Sequence, residues 1–222
     1  MIKKKSQLSN NIIMTSKEAT KRAADICLST VGLFVSCPAL TLIAISVKGK
    51  SKGPILFIQE RVGKHGKTFR MYKFRTMMCG AEAVTLGRYI CSEDSAITPV
   101  GKILRRWALD ELPQLFNVLK GEMSIVGPRP TLSYQVEKYT PHQRKRLNVK
   151  PGITGWAQVN GRNKLSWPER IELDVWYAEN WSVGLDVKIM LMTIPALLKK
   201  EFAFAKESAE EDEIVRFDGE GV

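Results

Sequence analysis

"ICLSTVGLFVSCPALTLIAISV", residues 26–47, runs 22 residues without a charged side chain. As one α-helix it spans about 33 Å at 1.5 Å per residue, enough for a hydrocarbon core of about 30 Å. It has no polar face, which argues against a core helix of a soluble domain. A cleaved signal peptide fits worse, because the apolar run is too long and no small-x-small site follows it. Lys3, Lys4, Lys5, Lys17, Lys21 and Arg22 precede the run, and Lys48, Lys50 and Lys52 follow it. Cytoplasmic flanks attract Lys and Arg, and here both flanks qualify. A segment that dips into the bilayer and returns keeps both on one side. Pro38, near the middle, lacks an N–H and crowds the carbonyl four residues back. Ser36 can hydrogen-bond carbonyls that such a break frees. The expectation is a Pro-broken re-entrant membrane helix over 21–52, after a basic segment 1–20. A straight span is the competing topology.

The charge is unusual for a chain of this size. Among 222 residues, 34 Lys and Arg face 23 Asp and Glu, a net charge of +11. Residues 206–222 hold seven acids against Lys206 and Arg216, so the remaining 205 residues carry +16. That excess calls for an anionic partner: nucleic acid, anionic lipid or a phosphorylated substrate. Nucleic acid explains the charge but leaves the apolar run idle, and no zinc-finger or RNP pattern is present. Residues 206–222 read as an acidic disordered tail. Cys27, Cys37, Cys79 and Cys91 show no Cys-x-x-Cys spacing, which points to a reducing, cytoplasmic setting. The two histidines are His65, in a Gly-Lys-His-Gly turn, and His142, in a basic stretch. Acid–base work therefore falls to carboxylates.

Residues 53–205 read as one domain. "ILFIQERVG" and "KTFRMYKFRTM" flank the turn "GKHG" and form a predicted β-hairpin. Lys73 and Arg75 lie two apart on its second strand, so they project from one face. "GKT" at 66–68 is not a phosphate loop, because the glycine required five residues earlier is Arg61. "TPVGKILRRWALDEL" has helical periodicity, with Ile103, Leu104, Trp107 and Ala108 opposite Lys102, Arg105 and Arg106. A basic amphipathic helix bearing Trp suits a membrane surface; a helix on a protein core with a solvated basic face reads equally well. "VKIMLMTIPALLKKEFAF" is a second interfacial candidate. The fold class expected is α+β: a single mostly helical cytoplasmic domain with a small β-hairpin and the N-terminal membrane helix.

Between these elements lies "LDELPQLFNVLKGEMSIVGPRP", residues 109–130. Proline is favoured at the first helical position, so a helix opens at Pro113. Asp110 and Glu111 then sit in the turn ahead of it, near the positive end of its dipole. Adjacent side chains point in different directions, so two neighbouring acids can split duties between a reacting atom and a metal. A carboxylate can attack phosphorus and form an acyl phosphate that a second acceptor later attacks. Such chemistry needs cations on the phosphoryl oxygens, and Mg²⁺ prefers one or two carboxylates plus substrate phosphates. Arg105, Arg106, Arg129, Arg162, Lys73 and Arg75 are the candidate cations. Arg129 stands between Pro128 and Pro130, which stiffens its backbone. Taken alone, an Asp-Glu pair is more often a solvated accident than a site.

An ordered series of motifs changes that balance. "KRAAD" (21–25) before the Pro-containing apolar run is followed by "FIQERVG" (57–63) and "YKFRTM" (72–77). Then come "LDELPQLFNVLKGEMSIVGPRP" (109–130), "KPGITGWAQVNGR" (150–162) and "ELDVWYAENWS" (172–182). From about Lys21 to about residue 200 the chain resembles the bacterial sugar transferases, the small monotopic phosphoglycosyl transferases. The resemblance implies a two-step exchange. Asp110 would attack the sugar-linked phosphate of a UDP-sugar and release UMP, and the phosphosugar would then pass to undecaprenyl phosphate. Glu111, with Asp110, would hold Mg²⁺, and Arg129 and Arg162 would neutralise phosphates. Lys73, Arg75 and Asp174 match family motifs as substrate-binding residues. The implied location is the cytoplasmic face of the bacterial inner membrane, against anionic inner-leaflet lipids. The family's Ser-Pro break is Cys37-Pro38 here, with Ser36 preceding it. The acidic tail reads as solubilising, with docking of downstream glycosyltransferases as its other use. A non-catalytic basic membrane scaffold is the alternative, and it leaves the later motifs idle.

Overall fold

The computed structural model describes residues 2–50, 52–78, 96–161 and 164–198, with the backbone alone for 2–15 and 50. Arg162 and the tail 206–222 lie outside the described residues. The architecture is mostly helical, with a small antiparallel sheet and one long apolar N-terminal helix. That helix, α1, is Ile2–Lys50, so residues 1–20 and 21–52 are not separated by a break.

The hairpin forms where the alternation of the sequence places it. Strand β1 (Leu56–Val62) pairs antiparallel with β2 (Thr68–Phe74), in register from Leu56 opposite Phe74 to Val62 opposite Thr68. Helix α2 (Pro99–Arg106) starts at Thr98, whose hydroxyl accepts from the Gly101 N–H at 3.0 Å. Helix α3 (Gln114–Lys120) begins just after Pro113 and ends at Gly121, whose φ of 83° is a left-handed cap that favours glycine. Strand β3 (Ser124–Val126) pairs in parallel with β4 (Gly152–Thr154), a connection that sequence periodicity did not reveal. A Cβ on Gly152 would fall 2.1 Å from the Gly127 nitrogen, so only glycine admits this crossing. Helices α4 (Ser133–Glu137) and α5 (Trp156–Val159) are short. Helix α6 (Trp167–Asn180) opens with a capping box, in which Ser166 Oγ accepts from Glu169 N–H and Glu169 Oε2 accepts from Ser166 N–H. Helix α7 (Val183–Leu198) closes the described chain.

Small apolar clusters join these pieces. Phe69 and Met71 of β2 meet Val118 and Met123, while Val126, Tyr177 and Ile189 tie β3 to α6 and α7. Val62 packs with Val136, Tyr139, Ile171 and Val175.

Helix α1 is fastened to this domain on both sides of its apolar run. Lys21, read as a topology-setting flank charge, donates to the Val126 carbonyl at 3.0 Å and pairs with Asp186. Arg22 caps the C-terminal end of α3 by donating to the Val118 and Leu119 carbonyls. Asp25 Oδ1 accepts from Ser124 Oγ and the Ile125 N–H, both at 2.9 Å. At the other end Val47 packs with Phe74 and Leu104. The opposite face exposes Ile26, Val31, Phe34, Val35, Leu42 and Ile45.

The break expected at Pro38 does not interrupt α1, which is assigned as helix on either side of it. One proline removes a single N–H, the one that would reach the Phe34 carbonyl, and two hydroxyls bond other carbonyls nearby. Thr41 Oγ1 donates to the Cys37 carbonyl at 3.0 Å, and Ser36 Oγ lies 3.5 Å from the Leu33 carbonyl. The two interfacial candidates also expose apolar faces. In α2 only Leu104 of the expected stripe turns inward, leaving Ile103 and Trp107 exposed. In α7, Val183, Val187, Leu191, Ile194 and Leu198 form an exposed line at helical spacing.

Candidate active site around Asp110 and Glu111

After α2 the chain reverses sharply at Ala108, a non-glycine residue with φ of 52°. Left-handed backbone at alanine costs about 1–2 kcal/mol and is held only where its surroundings dictate it. The reversal puts a short 3-10 turn, Leu109–Glu111, directly ahead of α3. Both acids are buried there, Asp110 at 9% and Glu111 at 7% exposure. The solvated accident is thereby excluded.

The two carboxylates have unlike surroundings. Glu111 Oε1 accepts from Arg129 Nη2 at 2.9 Å and from Lys73 Nζ at 3.2 Å. Among the described residues, no hydrogen-bond donor reaches Asp110. It lies instead in the field of Lys73, Arg105 and Arg129. Burial pushes the Asp110 carboxyl above its ordinary range and the neighbouring Glu111 charge adds to that, while the three cations oppose it. Burial lowers the Lys73 ammonium, against the pull of Glu111. Glu111 holds the Arg129 guanidinium firmly charged. The Arg129 side chain is 43% exposed, so it reaches from Glu111 toward solution.

Arg129 sits on a loop whose carbonyls are all occupied. The Pro128 carbonyl accepts from Gly152 N–H at 2.9 Å and the Arg129 carbonyl from Arg146 Nη2 at 3.0 Å. The Pro130 carbonyl accepts from Arg61 Nη1 at 3.3 Å, and the Thr131 carbonyl from Val62 N–H at 2.9 Å. The prolines are only part of the loop's stiffness.

The structure thus gathers Lys73, Asp110, Glu111 and Arg129. Arg75 lies one residue past β2, buried, with its backbone N–H on the Ile55 carbonyl. Asp174, expected among the substrate-binding residues, is instead committed to a buried ion pair with Arg146. Arg105 donates to Thr76 Oγ1 at 2.9 Å and Arg106 is exposed on α2.

Two residues escaped sequence reasoning. Arg61 shares the hairpin face of Lys73, since residues opposite each other on paired strands project to the same side and Phe57 stands opposite Lys73. Burial and the charge of Arg129 push its guanidinium down to about 10. Alternation along "FIQERVG" was the available signal. Arg146 is hidden in "QRKRLN", where Arg144 and Lys145 are exposed and only Arg146 turns inward.

Among the described residues no group of three or more acids, histidines or cysteines could by itself hold a metal. Mg²⁺ does not require one, since two carboxylates completed by substrate phosphates suit it. Asp110 and Glu111 fit that requirement.

Comparison with known proteins identifies the family of the chain. The family model described as "Bacterial sugar transferase" matches residues 16–200. The "Uncharacterized sugar transferase EpsL" of Bacillus subtilis is 45% identical over 184 residues, covering 82% of this chain and 88% of that protein. The "Undecaprenyl-phosphate galactose phosphotransferase" of Salmonella typhimurium is 37% identical over 212 residues, 89% of this chain and 44% of its own length. The "UDP-glucose:undecaprenyl-phosphate glucose-1-phosphate transferase" of Escherichia coli is 45% identical over 184 residues, 78% of this chain and 39% of its own length. The chain therefore spans most of the first relative and less than half of the other two.

Proposed function

The chain belongs to the bacterial sugar transferase family, and from that premise we propose that it moves a phosphosugar from a UDP-sugar to undecaprenyl phosphate through a covalent intermediate on Asp110. The observation that carries this is the contrast within the acid pair. Glu111 is pinned by two cations, whereas Asp110 is buried beside the same cations without a hydrogen bond among the described residues. A carboxylate among positive charges that no described side chain ties up can attack a phosphoryl group.

In the first step an Asp110 oxygen bonds to the sugar-linked phosphorus. The bond to the bridging oxygen breaks, and UMP leaves with the electron pair. In the second step an undecaprenyl phosphate oxygen attacks the same phosphorus, the bond to Asp110 breaks, and the free carboxylate returns. Arg129, aimed by Glu111, meets the charge that develops on phosphoryl oxygens. Lys73 holds Glu111 in place and adds a second positive charge. Arg162, outside the described residues, is the further cation that the family motif assigns to the phosphates. Bound by Asp110, Glu111 and donor phosphates, Mg²⁺ would neutralise the diphosphate.

The acceptor explains the placement of the apolar helix. A polyprenyl phosphate keeps its tail in the bilayer and its anionic head at the interface. Helix α1 is fastened to the domain at Lys21–Asp25 and again at Val47. Its exposed apolar face then rests in the cytoplasmic leaflet of the inner membrane rather than crossing it, and full re-entry would require a bend at Pro38. The exposed line of α7 and the Ile103–Trp107 face of α2 lie against the same leaflet.

The test is UMP release by purified protein given Mg²⁺, a panel of UDP-sugars and undecaprenyl phosphate. Turnover that Asp110→Asn abolishes supports the proposal, and equal turnover by that variant removes the nucleophile. For topology, cysteines placed at positions 5 and 52 should stay unlabelled by an impermeant reagent outside intact cells. Labelling at either end excludes re-entry.

A further inference from the structure

Arg129 is useful only if its guanidinium arrives at one place, and its backbone is gripped by a second arginine. Arg146 donates from Nη2 to the Arg129 carbonyl at 3.0 Å, and from Nη1 to Thr131 Oγ1 at 3.2 Å and to the Tyr139 hydroxyl at 2.6 Å. Its charge is met by Asp174 of α6. Arg146 and Asp174 are each 4% exposed, and neither touches solution where substrates lie. Two buried charges are a costly way to hold a helix against a turn, because desolvation offsets much of their attraction. Apolar residues of similar volume usually serve stability as well or better. What apolar residues cannot supply is a planar fork that fixes two points of one loop at once.

We infer that the Arg146–Asp174 pair is a positioning device for Arg129, setting the reach of that guanidinium toward the phosphoryl group. This rests on the reaction proposed above. Arg61 supplies the second hold through the Pro130 carbonyl, so the arginine-bearing loop is clasped from the hairpin on one side and from α6 on the other. Asp174 acts through Arg146, and Arg146 through the loop backbone. Neither meets the substrate.

Two variants separate positioning from plain stability. Arg146→Lys keeps a cation opposite Asp174 but replaces the fork with a single ammonium. Arg146→Met with Asp174→Leu removes both charges together, so that no lone charge is buried. The first measurement is amide hydrogen exchange across residues 127–134, which needs no substrate. The expected result is faster exchange there in both variants, with α3 and α6 unchanged. Unchanged exchange in a folded variant overturns the inference. The second measurement is UMP release in a cycle with Arg129→Ala. Arg146→Lys should lower kcat about 10-fold in the wild-type background and barely at all once Arg129 is gone, with KM for the UDP-sugar little affected. Equal fold-losses in both backgrounds overturn the inference, since a merely structural residue costs the same whether or not Arg129 is present. A wild-type protein that releases no UMP defeats the proposed reaction, and the exchange measurement then judges the clasp by itself.

Discussion

The turn Leu109–Glu111 and the loop Pro128–Thr131 lie on either side of one ion pair and are built on opposite plans. In the loop four consecutive carbonyls each accept a hydrogen bond. In the turn, a left-handed alanine delivers a buried carboxylate that no donor among the described residues reaches. Glu111 belongs to both, since it sits in the turn and holds the arginine of the loop. The difference teaches how a reactive acid can be kept reactive. Asp110 has no described donor on it, while the loop that carries Arg129 is held at each of its carbonyls.

Breaking the unsatisfied side has the largest expected effect. Asp110→Asn should lower turnover by about 10⁴-fold or more, as nucleophile removal does elsewhere. The same variant should be more heat-stable at neutral pH. The folded Asp110 pKa is raised by burial, so its stability contribution is present at low pH and lost as pH rises through that value. An uncharged Asn is spared that loss. The Tm should therefore rise, readable by calorimetry. A lower Tm would contradict the poised state of Asp110.

Breaking the satisfied side comes next. Arg129→Ala should lower kcat by about 10²-fold through lost charge stabilisation, with the fold intact. Near-normal kinetics would confine Arg129 to the loop's shape.

The pH profile sharpens the contrast. Asp110 attacks only when ionised, so the acid limb of kcat/KM should lie above the ordinary carboxylate value of 3.8. Glu111→Gln removes a charge that raises Asp110 and should move this limb to lower pH while reducing the rate at neutral pH. A limb that stays in place argues that Glu111 does not reach Asp110 electrostatically. Smaller still is the effect at the membrane. Leu191→Glu, in the middle of the exposed α7 line, should weaken binding to anionic vesicles several-fold in a flotation assay and leave UMP release in detergent unaltered.

Much of this was legible in the chain, for identifiable reasons. The hairpin followed from alternation around "GKHG", and α3 from the start signal at Pro113, because both are local rules. Glu111, Lys73 and Arg129 stand out in the sequence itself, since a carboxylate pair and a Pro-flanked arginine are chemical signals independent of distance. Other parts depend on contacts between remote segments. Which of Arg144, Lys145 and Arg146 turns inward is decided by Asp174 on α6, 28 residues beyond Arg146. The same pairing, which the sequence does not announce, engages Asp174 with Arg146. Lys21 and Arg22 read as topological charges because nothing local told of the carbonyls of Val126, Val118 and Leu119 that bind them. Pro38 lies within a continuous helix, because one missing N–H leaves the neighbouring helical hydrogen bonds in place.

The account stands on a bond between residue 110 and phosphorus. Intact-protein and peptide mass spectrometry of the enzyme quenched after incubation with its UDP-sugar and Mg²⁺, with no lipid acceptor, tests it directly. The predicted result is one phosphosugar added per chain, located on Asp110, absent from Asp110→Asn, and lost when undecaprenyl phosphate is supplied. An unmodified enzyme that nevertheless turns over once the acceptor is present would contradict it, and would assign the reaction to direct attack by the lipid phosphate.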